Sequence, residues 1–149
     1  MSALQTHSRP PVGPLFAIEV LDLEALRDRA GRDEPVVVEL LEDFLCRDVS
    51  MSDVLAAAEA GDLARLTELA HRLKVALVSL SAARAASAAS AVELRAATLA
   101  IAEDAPDVRA VAALSAALVE LGERFEELSD AMRSVMDEAT SVTPLRLSR

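Results

Sequence analysis

Leu63, Leu66, Ala70, Leu73, Leu77 and Leu80 recur at three- and four-residue steps, the period of one buried stripe on an α-helix. Asp62 stands before the stripe as an N-cap, and Gly61 closes whatever helix comes earlier. The serines of 79–81 make the next break. A further helix is predicted over about 82–102, with Ala85, Ala89, Val92, Ala96 and Leu99 facing inward. Ala105, Pro106 and Asp107 form a short turn. The longest helix follows, over about 107–138. Its stripe is Val108, Val111, Leu114, Leu118, Leu121, Phe125, Leu128, Met132 and Val135, close to the heptad spacing of antiparallel bundles.

Upstream, Asp22 caps a short first helix that carries Leu23 and Leu26, runs to about Arg29 and ends at Gly31. Phe16, Ile18 and Val20 are expected to cover one end of the molecule. Asp33 caps a second helix with Pro35 in its first turn; Val37, Leu40, Leu41, Phe44 and Leu45 mark its buried side, and it ends near Asp48. Ser50 or Ser52 caps a third, shorter helix through Val54, Leu55 and Ala58. Pro10, Pro11, Gly13 and Pro14 make 1–14 a flexible leader, and 140–149 reads as a flexible tail. The folded unit is then 15–139. The second, fourth, fifth and sixth helices are long and amphipathic, and their short connections favour an all-α, antiparallel four-helix bundle with two accessory helices.

Composition sharpens this picture. A chain of 149 residues favours one domain. Hydrophobic residues are 52 % of it but aromatics only 2 %, and alanine supplies much of the difference, so helices can pack closely. The net charge of −10 argues against binding nucleic acid or anionic lipid, both of which need a cationic surface. The most apolar stretch, 75–83, is too short to span a bilayer and is bounded by Lys74 and Arg84. The first fourteen residues have no continuous apolar core and so do not read as a signal peptide, and a cytoplasmic location is expected. Cys46 is the only cysteine, so no intrachain disulfide forms; it reads as a small residue on or beside a buried stripe.

The candidate chemistry sits on the fourth helix. His71 lies about 100° round from Ala70 and therefore flanks the buried stripe. Glu68, His71, Lys74, Val75 and Val78 share a second, more open face, with Arg72 at its edge. His7, in the leader, has no scaffold. Glu68 and His71 have the E-x-x-H spacing of di-iron bundles, but the second such motif is missing, and no metal site is expected. The adjacent pairs Glu42-Asp43 and Glu126-Glu127 diverge round their helices and read as solvated face. There is no G-x-S-x-G elbow and no phosphate-binding glycine loop, which disfavours a self-contained enzyme. An imidazole is nucleophilic near neutral pH and can carry a phosphoryl group if one nitrogen is open and an acceptor holds the other. Lys74 would supply positive charge one turn on. Glu93, beside Val92 and Ala89 on the next helix, is the candidate acceptor.

His71-Arg72-Leu73-Lys74, then Leu80 and Ala82, then Val92-Glu93 on the next helix, resemble the core motif of the histidine-containing phosphotransfer (HPt) domain of bacterial multistep phosphorelays. Phe44-Leu45 and Ala60-Gly61-Asp62 fit the same family, and the resemblance spans roughly 20–135. It implies that His71 is phosphorylated, that Glu93 bonds its inner nitrogen, and that Lys74 helps place the phosphoryl oxygens. Glu68, Arg72, Val75 and Val78 would meet the partner. That partner would be a response-regulator receiver domain, a hybrid histidine kinase, or each in turn. It would bring the Mg²⁺ and most catalytic groups, so this chain would need no cofactor of its own and would act as a phosphotransfer intermediate, a monomer without turnover alone.

Three positions depart from the family pattern: Val75 stands where the family has Gly, Val78 where it has a small residue, and Ser81 where it has another Gly. Val75 is one turn from His71 on the same face, and its β-branched side chain is stiff. Two readings follow. Transfer proceeds with a partner shaped to fit, or the domain is an adaptor that binds a receiver or kinase without efficient transfer. A plain structural bundle, dimeric through its longest helix, is a third.

Overall fold

The computed structural model describes residues 20–46 and 50–147, with side chains through 141. Among the described residues there are six α-helices and no strand: α1 Leu23–Arg29, α2 Glu34–Leu45, α3 Met51–Glu59, α4 Leu63–Ser79, α5 Ala83–Ala100 and α6 Val108–Leu147. The leader 1–14 with His7, the residues Phe16 and Ile18, and Asp48 lie outside the described residues.

Helix starts follow their caps. The Asp22 side chain accepts from Ala25 N at 3.1 Å, and the Asp62 side chain accepts from Arg65 N at 3.0 Å. Ser50 is the cap of α3, in a reciprocal box: Asp53 N donates to Ser50 Oγ at 3.3 Å and Ser50 N donates to Asp53 Oδ2 at 3.1 Å. Asp33 precedes α2 without a side-chain cap bond.

Helix ends follow one pattern three times. After α1, α3 and α4 the chain turns through a left-handed residue: Gly31 with φ 66°, Gly61 with φ 70° and Ser81 with φ 63°. The next amide in each case reaches back to the helix: Arg32 N to Arg27 O at 2.8 Å, Asp62 N to Ala57 O at 3.0 Å, Ala82 N to Leu77 O at 3.0 Å. These are Schellman caps, which satisfy carbonyls that the helix leaves open.

The most extensive packing joins α4 to α5, and α6 lies against α5. Leu66, Leu69, Ala70, Leu73 and Leu77 of α4 are buried, as are Ala85, Ala86, Ala88, Ala89, Val92 and Ala96 of α5, which packs on both α4 and α6. The alanines hold the two backbones close, which sets the reach of any side chain spanning the seam. On α6, Leu114, Ala117, Leu121, Leu128 and Met132 are buried, and Phe125 meets Phe44 of α2 with ring centroids 5.9 Å apart. Val20 and Leu21 are buried ahead of α1. Asp22 N donates to Ser81 O at 2.9 Å and so ties this segment to the end of α4. Among the described residues no helix is long and apolar enough to cross a membrane.

Several expectations need correction. Leu40 and Leu45 are exposed, because α2 buries the narrower line Val37, Leu41 and Phe44. Cys46 is exposed at the C-cap of α2 and is not a core residue. Val108 and Val111 are exposed at the first turns of α6; of the later stripe Leu114, Leu121, Leu128 and Met132 are buried, and Leu118, Phe125 and Val135 partly so. Leu69, outside the expected stripe of α4, is buried. Glu127 is not solvated face: it is half-buried, with Oε2 3.7 Å from Arg84 Nη1 of α5 and Oε1 paired to Arg124. Helix α6 runs on to Leu147, past the expected end near 138. The Thr140 and Ser141 hydroxyls bond back to the carbonyls of Met136 and Glu138, so these polar residues do not break it.

Candidate functional site

The site grows out of the α4–α5 seam. His71 is offset from the buried line of α4 and emerges at its edge; Glu93 follows the fully buried Val92 on α5 and emerges at the edge opposite. Because alanines keep the helices close, the two side chains meet. His71 Nδ1 and Glu93 Oε2 are 2.8 Å apart. The other carboxylate oxygen, Oε1, lies 2.6 Å from Lys74 Nζ. One carboxylate thus holds two groups of α4 that are three residues apart in sequence.

The electrostatics decide the ring's proton. The Lys74 ammonium, hydrogen-bonded to Glu93, is the main reason the carboxyl sits below its usual range; partial burial pushes the other way, and the His71 bond adds to the lowering. An ionised carboxylate only accepts, so Nδ1 must carry the hydrogen in that bond. In the neutral ring this leaves a lone pair on Nε2, the nitrogen on the far side from Glu93. Among the described residues Nε2 has no hydrogen-bond partner, and the His71 side chain keeps 54 % of its surface, against 22 % for Glu93. The arrangement is a backed nucleophile. It can donate a lone pair outward, and any positive charge developing on the ring is balanced from behind.

The other expected residues fall into two groups. Glu68 faces solvent between Arg65 at 3.3 Å and Arg72 at 3.8 Å, and these exposed pairs contribute little to stability. It does not join the His71–Glu93 pair. Val75 and Val78 are 52 % and 56 % exposed, one and two turns along the face that carries His71. They make an apolar strip beside the ring. Among the described residues no group of three or more His, Cys, Asp or Glu could hold a metal ion.

Two features of the site have no signal in the sequence pattern. One is the Lys74–Glu93 pair, since Lys74 reads locally as a free surface cation. The other is Arg29 at the end of α1. Its Nη1 donates to Val78 O at 3.2 Å and to Ser79 O, capping the last carbonyls of α4 just beyond the apolar strip. Both are contacts between separate helices, which helical periodicity does not encode.

Comparison of the chain with family models, with curated proteins and with solved structures gives no match.

Proposed function

We propose that this chain is a phosphohistidine carrier resembling HPt domains, built as an antiparallel four-helix bundle of α2, α4, α5 and α6 with α1 and α3 as accessories. The carrying observation is the exposed His71 ring held at Nδ1 by Glu93 at 2.8 Å. In the proposed step, Nε2 of His71 attacks the phosphorus of an aspartyl phosphate on a receiver domain. The N–P bond forms as the bond from phosphorus to the aspartate oxygen breaks, and the aspartate leaves as a carboxylate. Nδ1 keeps its hydrogen, and Glu93 offsets the positive charge that the ring acquires. Lys74 keeps Glu93 ionised for that task, and the resemblance gives it a part in placing the phosphoryl oxygens. The reverse step returns the group to a second receiver, and a histidine kinase is an equivalent donor. The protein would work as a cytoplasmic monomer.

The test is incubation with a phosphorylated receiver domain, looking for label that is acid-labile and alkali-stable. His71→Gln should abolish the label. Equal labelling of His71→Gln would remove the assignment.

Val75 favours a second reading. An exposed β-branched side chain one turn from the ring occupies space that a partner's aspartate pocket must enter. In that case the domain binds a receiver or kinase without efficient transfer. Val75→Gly would then gain label, and His71→Gln would leave partner binding unchanged.

A further inference from the structure

Away from His71 lies a groove of about 450 Å³ between α3, the start of α4, the end of α5 and the start of α6. Its walls are apolar: Leu55, Leu63, Leu66, Leu99, Val111 and Leu118 are among the lining residues, and Glu59 is the only charged one among the described residues. Two of these large side chains, Leu55 and Val111, are almost half exposed. The wall supplied by α6 continues the same character. Residues 110–119 carry no charge, yet Val111, Ala112, Ser115, Ala116 and Val119 all face solvent. An uncharged run of nearly three turns on an exposed helix face is unusual in a chain with a net charge of −10.

Carboxylates outnumber cations at the rim. Glu59 lines the groove, Asp62 adjoins Gly61 and Leu63, and Glu103, Asp104 and Asp107 surround Pro106, which also lines it. Asp62 and Asp107 are engaged as helix caps, and Glu59, Glu103 and Asp104 add three further exposed carboxylates. The basic side chains in the same turns are Arg65, paired with Glu68, and Arg109. A second copy of this chain would set acidic rim against acidic rim, so self-association is opposed at this face. An apolar floor about two turns long inside an acidic border matches a different occupant.

We infer that this groove docks an amphipathic helix of a partner protein, with apolar anchors at i, i+3 or i+4, and i+7 and with Lys or Arg along its flanks. The groove is lined by neither His71 nor Glu93, so this binding stands apart from any phosphoryl transfer.

The probe is a synthetic Leu/Lys amphipathic peptide, roughly four turns long, carrying one Trp. The protein has no Trp or Tyr, so peptide fluorescence reports binding without background. A blue shift with saturable, micromolar binding is expected, and the Leu/Glu counterpart should bind at least about tenfold more weakly. Leu55→Glu and Val111→Glu discriminate sharply. Each adds negative charge, so attraction by net charge alone would tighten binding, whereas docking in the groove should weaken it by about tenfold or more. Both positions are exposed, and an unchanged melting temperature would show that the fold is kept; Leu55→Ser gives a neutral version of the same test. Equal or tighter binding by the Glu variants would overturn the inference. So would no blue shift at all, or a concentration-dependent dimer in sedimentation that Leu55→Glu dissolves. His71→Gln should bind the peptide like the native chain, and failure of the peptide test would leave the labelling test of His71 untouched.

Discussion

Ser81 occupies the left-handed turn that ends α4, and replacing it with glycine should stabilise the protein. Its φ of 63° lies beside the 66° and 70° of Gly31 and Gly61, which close α1 and α3 in the same way. A side chain in this region costs about 1–2 kcal/mol from contact between Cβ and the carbonyl oxygen. The Ser81 hydroxyl is also buried without a hydrogen-bond partner among the described residues, a further cost of about 1 kcal/mol or more. Glycine removes both terms but adds freedom to the unfolded chain, which returns about 0.4–1 kcal/mol. The balance is a gain of roughly 1–2 kcal/mol for Ser81→Gly. For a chain of this length that corresponds to a rise in Tm of about 3–6 °C. Thermal and urea unfolding followed by far-UV circular dichroism measure it. Gly61→Ser is the mirror experiment: a Cβ there meets nothing within 4 Å among the described residues, so only the backbone term operates, and a loss of about 1 kcal/mol is expected. Ser81→Gly with a lowered or unchanged Tm, alongside a destabilised Gly61→Ser, would refute the reasoning and give the Ser81 hydroxyl a stabilising role.

Glu93→Gln should destabilise the protein by roughly 1 kcal/mol near neutral pH by removing charge from two bonds. The folded carboxyl lies below its ordinary value of 4.5, so its contribution is full above that value and is lost as pH falls through the lower folded value. The difference between the two proteins should therefore shrink in acid, and chemical denaturation at a series of pH values checks this. Arg29→Ala removes that donor from the carbonyls of Val78 and Ser79; the bonds are exposed, so the cost should be about 0.5–1 kcal/mol, with faster hydrogen exchange confined to the end of α4. Ala89 is fully buried in the seam; Ala89→Leu should cost about 1–3 kcal/mol and force α4 and α5 apart. NMR of that variant should show loss of the protected His71 Nδ1–H signal.

Much of the fold is legible in the chain because its signals are local. The caps Asp22, Ser50 and Asp62, the turns at Gly31 and Gly61, and the leucine stripe of α4 each depend on neighbours within a turn or two. The same period places Glu93 on the seam side of α5, opposite His71. What periodicity does not carry is how far each stripe is covered. Leu40, Leu45, Val108 and Val111 keep the spacing of core residues but are exposed, because coverage depends on where a neighbouring helix ends. Glu127 reads as a surface carboxylate until Arg84 of α5 is brought beside it. Arg29 and Lys74 likewise take their roles from helices that are distant in sequence.

The carboxylate of Glu93 has one negative charge and two claimants. While the imidazole is neutral, the ammonium of Lys74, 2.6 Å from Oε1, is the cation that balances it. Once His71 turns cationic, two positive charges flank one carboxylate, and each cation's attraction to Glu93 is offset in part by repulsion from the other. An anion arriving at the ring from outside then meets two further cations within a turn of it, Lys74 on the shared carboxylate and the more exposed Arg72.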